Sequence, residues 1–166
     1  MKKVSDIHAI KIIFFITACY VGLWAIRIPT IKDQLQTDYV GVGYIMLSFA
    51  IGSIVAMIFA NALILKTSTK SILTCTLIAE GCLWLPVPFI QELWLFMVFS
   101  FVFGMSYGAF EIACNVYASN LEVREKKSMM SGFHAFWSLG VLFGSLITSF
   151  LLEWNYSFIF NILLYV

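Results

Sequence analysis

Long apolar runs alternate with short polar connections along almost the whole chain. The pattern predicts helices over residues 12–28, 40–65, 71–89, 93–117 and 130–152. Runs of this kind match membrane helices, which need roughly 17–25 mostly apolar residues to cross a hydrocarbon core about 30 Å thick. The first is expected to stop at Pro29, which lacks an amide hydrogen and crowds the preceding turn. Pro86 and Pro88 fall near the end of the third, and Lys66-Thr-Ser-Thr-Lys70 turns the chain before it. Leu121-Glu-Val-Arg-Glu-Lys-Lys127, the densest charge cluster, separates the fourth from the fifth. A last apolar run over 156–166 reaches only about 16 Å as a helix, so a partial sixth helix is expected, in a fold that the chain does not finish. The expected fold class is all-α: a polytopic membrane protein with five complete transmembrane helices and part of a sixth, in one membrane domain.

Composition strengthens this reading. The chain is 61% hydrophobic and 11% charged, whereas soluble domains carry about 25% charged residues. A net charge of +1 leaves no electrostatic footprint for nucleic acid. The four cysteines, Cys19, Cys75, Cys82 and Cys114, sit inside apolar runs and form no CxxC pair, so they read as small embedded residues and no metal is expected. Met1-Lys-Lys and Ile16-Thr-Ala-Cys19 together mimic a lipoprotein signal. Too few apolar residues lie between Lys11 and that box, however, for a signal core of roughly 7–15, and the run continues to Ile28. A retained helix is expected.

Basic residues set the expected orientation. Lys2, Lys3 and Lys11, then Lys66 and Lys70, then Arg124, Lys126 and Lys127 fall on one side of the helix count, which is eight of the ten Lys and Arg. Arg27 and Lys32 fall on the other. By the positive-inside rule the N-terminus and both basic loops are cytoplasmic, in a cell inner membrane.

Polar groups inside the apolar runs are the candidate chemistry. Gly104, Gly108, Glu111 and Asn115 share one helical face. An ionisable group in a span normally faces protein or a watery cavity. Glu111 and Asn115 therefore read as a substrate- or proton-binding face, the alternative being a protonated Glu111 bonded to a neighbouring helix. Arg27 either meets an anionic ligand or snorkels to headgroups. His134 either titrates in transport or caps helix packing. Glu80 either relays protons or is a buried packing carboxyl, and the second is expected because no other polar group shares its helical face. Gly104/Gly108 and Gly140/Gly144 are GxxxG pairs, and Ser48, Gly52, Ala56 and Ala60 make a small-residue stripe. Both features allow close helix approach. No nucleophile–base pair, phosphate loop or metal-spaced cluster is evident, so neither an enzyme nor a cofactor is expected.

Trp24-Ala-Ile-Arg-Ile-Pro29 with Ile31-Lys32, Glu111-Ile-Ala-Cys-Asn115, Asn120-Leu-Glu122 and Met130-Ser-Gly-Phe-His-Ala-Phe-Trp-Ser-Leu-Gly-Val-Leu-Phe-Gly144 resemble the N-terminal half of a bacterial major facilitator superfamily transporter, of a sugar-permease-like or uncharacterised inner-membrane subgroup. The resemblance implies two six-helix bundles around a central cavity, working by alternating access. It implies that the first and fourth helices line the cavity, the second and fifth face the other half, and the third and sixth lie outside, which places Glu80 away from substrate. In the family's loop pattern G-x-L-x-D-R-x-G-R-K, only Leu63, Lys66 and Lys70 match in type within Asn61–Lys70; the two glycines and the acidic residue are gone. The expected activity is secondary transport of a small solute, perhaps with protons, inactive in this chain alone. The rival readings are a half-transporter acting as a homodimer or with a separate C-terminal half, and a non-transporting scaffold or regulatory subunit.

Overall fold

A computed structural model describes residues 2–165, with the side chains of residues 2–5 and of Asn61 outside the description. Lys2 and Lys3, used for orientation, are among those side chains, and Val166 also lies outside the described residues. The elements are α1 (Lys2–Gln34), α2 (Tyr39–Lys66), α3 (Thr69–Trp84), a 3-10 turn (Val87–Phe89), α4 (Leu93–Glu125), α5 (Met130–Glu153) and α6 (Phe158–Leu163). Among the described residues, α1 to α5 contain five stretches long and apolar enough to cross a membrane. The fold is all-helical.

Several bounds differ from those the apolar pattern predicts, each for an identifiable reason. α1 begins well before residue 12 and runs through Pro29 to Gln34. Ile31 and Leu35 are buried beyond the proline, and Gln34 Nε2 donates to the carbonyls of Val87 (2.9 Å) and Ile90 (2.6 Å). Packing and these bonds hold the extra turn, as happens where neighbours re-satisfy a proline-broken ladder. α3 stops at Trp84 rather than 89 because Pro86 and Pro88 cannot continue it, and the chain tightens into the 3-10 turn. α4 continues past 117 to Glu125 because Ala118 and Leu121 are buried; Lys126, at φ 52°, then ends it in the left-handed region. The Glu122 carboxylate accepts from the Met129 (2.5 Å) and Met130 (2.7 Å) amides, supplying the cap that Met129 lacks at the start of α5. α6 spans six residues within the predicted 156–166, capped by the Ser157 hydroxyl.

The bundle is assembled from two tightly apposed pairs, α2 on α4 and α1 on α5, with α3 on the flank of α4. Glycine sets the spacing in both. In the first pair a Cβ added at Gly52 would lie 2.1 Å from the Phe101 carbonyl oxygen, and one at Gly104 would lie 2.1 Å from that of Phe49. Gly108 meets the Ser53 backbone in the same way, and Ser53 Oγ donates to the Gly104 carbonyl at 3.0 Å. In the second pair Gly140 abuts the Phe15 carbonyl and Gly144 that of Cys19, both at 2.3 Å from the added Cβ, while Gly22 faces Val141 and Ser145. Lipid gives no hydrophobic drive to helix pairing, so this backbone proximity and its dispersion contacts are what hold the pairs.

Two apolar clusters fill the space between the pairs. One gathers Tyr20, Leu23, Ile45, Trp84, Phe96, Phe158 and neighbours. The other gathers Ile10, Phe14, Ile72, Phe110, Leu121, Phe133 and neighbours. The second cluster lies at the end where α1 begins, α2 meets α3 and α4 meets α5. There Arg124 bridges Asp6 at 3.0 Å, Lys70 lies over the Tyr117 ring and Lys11 over Phe136. The described basic residues on the N-terminal segment and the two basic loops therefore converge on one end of the molecule.

Candidate functional site

Two adjoining cavities open between the helix pairs among the described residues. The smaller, of about 200 Å³, is lined by Glu111 and Asn115 of α4, His134 of α5, and Phe14, Tyr107, Phe110, Cys114 and Trp137. Glu111 and Asn115 are one helical turn apart, so both side chains enter from the same wall. His134 enters from the first turns of α5, exposed, with the Phe14 ring edge-on at 5.6 Å. A carboxylate, an amide and an imidazole thus share one opening near the basic end of the bundle.

The larger cavity, of about 380 Å³, lies further along the bundle and shares Tyr107 and Trp137 with the first. Its walls are mostly aromatic: Tyr20 and Trp24 from α1, Phe49 from α2, Trp84 from α3, Phe99, Phe103 and Tyr107 from α4. Trp84 anchors this array, stacked on Tyr20 at 5.9 Å and edge-on to Trp24 and Phe103. The exposed Met46 and Ala50 of α2 mark where the cavity opens. Its one acidic group is Glu80, only 2% exposed, whose Oε1 has no hydrogen-bond partner among the described residues. Apolar walls with a few convergent polar groups are the usual make-up of a small-molecule site.

Glu80 therefore stands elsewhere than its helical face suggests. It lies on α3, but α3 packs against α4 so that the carboxyl points between the pairs and lines the larger cavity. The polar companions absent from its own helix come from others: Tyr20 from α1 and Tyr107 from α4. These rings, with Trp24 and Trp84, are the lining residues that the sequence reading missed. The available signal was a mid-span carboxylate in a chain with tryptophan and tyrosine on several helices.

Arg27 is also relocated. It lines neither cavity. It is 2% exposed, with Nε donating to Asn161 Oδ1 at 3.0 Å, Nη2 to the Tyr156 carbonyl at 3.5 Å, and the Phe158 ring 5.1 Å from its guanidinium carbon. It ties α1 to α6. Of the remaining residues, Leu63 lends its carbonyl to the amide and hydroxyl of Thr67, closing α2. Lys66 ends that helix, exposed, and Lys70 sits on Tyr117. Gly52, Gly104, Gly108, Gly140 and Gly144 all lie at the close approaches described above. Cys19 and Cys114 are buried and Cys75 and Cys82 exposed, all free thiols.

The described residues thus form a multi-pass helical bundle, long and apolar enough to cross a membrane, with polar groups in the cavities between its helices. The sequence model of the Major Facilitator Superfamily matches residues 12–166, and the chain belongs to that family. It is 29% identical over 145 residues to an uncharacterized MFS-type transporter of Yersinia pestis, covering 86% of this chain and 37% of that protein. It is 25% identical over 141 residues to an uncharacterized transporter of Sinorhizobium fredii, covering 80% of this chain and 35% of that protein. The chain thus spans about a third of the length of the curated relatives it matches. No solved structure matches it.

Proposed function

We propose that this chain forms one wall of a secondary transporter that moves a small solute across a bacterial inner membrane by alternating access, with its N-terminus and basic loops in the cytoplasm. The observation that carries the reading is the pair of adjoining cavities. A vestibule with Glu111, Asn115 and His134 leads past Tyr107 and Trp137 towards an aromatic chamber with Glu80. In this reading Glu111 and Asn115 contact solute or protons in transit, and His134 sits at the cytoplasmic mouth. The chamber opens beside Met46 and Ala50, so a second bundle is needed to close it, and the chain is inactive without one. That bundle is a C-terminal half, in the same polypeptide or in another, or a second copy of this chain. The exposed apolar faces of α2 (Leu47, Ile51, Ile54) and α5 (Leu139, Leu142, Leu146) would lie against it or against lipid.

The test is uptake by cells producing the chain with its completing bundle, across labelled sugars, amines and carboxylates. Glu111→Gln and Asn115→Ala are expected to lower uptake of the accepted solute by about tenfold or more, within the range for interactions made in transit, with membrane abundance unchanged. Full uptake by both variants would remove Glu111 and Asn115 from the solute path, and an absence of uptake of any of these solutes would favour the scaffold reading instead.

A further inference from the structure

Glu80 is a carboxyl group held almost wholly out of solvent, and among the described residues one of its oxygens has no partner and the cavity it lines has no Lys, Arg or His. Titratable side chains near enough to interact with it electrostatically include Tyr20 on α1 and Tyr107 and Cys114 on α4, none of them a cation. The bundle's buried guanidinium, Arg27, is engaged with α6. An acidic group in a membrane span is costly unless something offsets its charge, and no side chain in this cavity does so.

The rest of the lining narrows what can. A polyhydroxylated solute needs a hydrogen-bond partner for each hydroxyl it buries. Here the Thr17 hydroxyl is committed to the Ile13 carbonyl at 2.8 Å, and that of Tyr20 to the Tyr165 carbonyl at 2.7 Å. Beyond these it presents the Ser100 and Tyr107 hydroxyls and the Trp84 Nε1, which has no partner among the described residues, but most of the lining is ring faces and edges from Tyr20, Trp24, Trp84, Phe103 and Tyr107. Aromatic faces attract cations, tryptophan most strongly, and they also accept an apolar body.

We propose that the larger cavity is a binding site for a hydrophobic organic cation, a protonated or quaternary amine, whose charge meets the Glu80 carboxylate while its apolar part packs on the surrounding rings. The assignment rests on the reading that this chain lines a solute path, and it names the chemistry of what that path selects. It gives the unpartnered Glu80 oxygen its counter-charge and the aromatic array a function beyond packing.

The experiment uses the full chain in lipid nanodiscs with benzyltrimethylammonium as probe. Neopentylbenzene serves as its uncharged carbon isostere. Binding is read from tryptophan fluorescence, since Trp24, Trp84 and Trp137 line the cavity, and circular dichroism verifies the fold of each variant. The expected result is saturable binding of the cation, with the isostere weaker by about tenfold or more. Glu80→Gln should cost a similar factor, Glu80→Asp should restore most of it, and Glu153→Gln, an exposed carboxyl outside both cavities, should leave the affinity unchanged. Equal binding of cation and isostere by the wild-type chain overturns the proposal without any variant. So does an undiminished affinity in Glu80→Gln, or an absence of saturable binding. Loss of cation binding while uptake still depends on Glu111 and Asn115 removes this inference alone. Cation binding at Glu80 with uptake indifferent to Glu111 and Asn115 removes the transport-path reading alone.

Discussion

The two cavities share two walls and little else. Around the smaller one a carboxylate, an amide and an imidazole stand together near the basic end, with His134 exposed. Around the larger one a single carboxyl is set among rings and nearly sealed from solvent. α1, α4 and α5 line both cavities, while α2 and α3 line the larger one alone and bring it Phe49, Glu80 and Trp84, so the contrast comes from which helices reach each cavity as well as from which residues each turn presents. In the proposed reading, the first end exchanges with water and the second holds the solute against its rings.

The largest expected effect removes the contrast by removing both cavities. Gly104→Val and Gly144→Val place a side chain where even a Cβ would lie 2.1 Å from the Phe49 carbonyl oxygen or 2.3 Å from that of Cys19. Overpacking of a close interface costs about 1–3 kcal/mol and more when backbone is the obstacle. Either variant should therefore lose most of its monodisperse protein in size-exclusion chromatography. Gly43→Ala, where nothing lies within 4 Å of the added Cβ, should keep it. Equal yields for all three would mean that the pairs are not held by these glycines.

A smaller effect leaves both cavities in place and weakens only their frame. Asn161→Leu removes the acceptor of the buried Arg27 Nε. Leaving a charged donor short of a partner costs about 1.5–3 kcal/mol. The expected outcome is a lower thermal midpoint with unchanged cation affinity in the aromatic chamber. A large loss of affinity at unchanged stability would return Arg27 to the ligand path.

Much of this fold is legible in the chain because a bilayer leaves few alternatives. Apolar runs of membrane length mark α1 to α5, and glycines four residues apart mark where those helices come together. The face carrying Glu111 and Asn115 is legible for the same reason: both residues are on one helix, and helical periodicity decides whether they share a wall. Glu80 is not legible that way, since the groups around it come from α1 and α4, and only the packing of α3 brings them near. Arg27 is obscured by sequence distance, its partner Asn161 being 134 residues away. The extension of α1 past Pro29 is obscured by burial of Ile31 and Leu35, a tertiary effect that outweighs the local preference of proline.

The central claim is that the vestibule at Asn115 is a watery opening on the cytoplasmic side of a solute path. The most direct measurement is thiol labelling of Asn115→Cys in a chain whose four native cysteines are replaced by alanine, using a membrane-impermeant maleimide. The account predicts labelling in inside-out vesicles and none in intact spheroplasts. Labelling from neither side, or from the outer side alone, would contradict it.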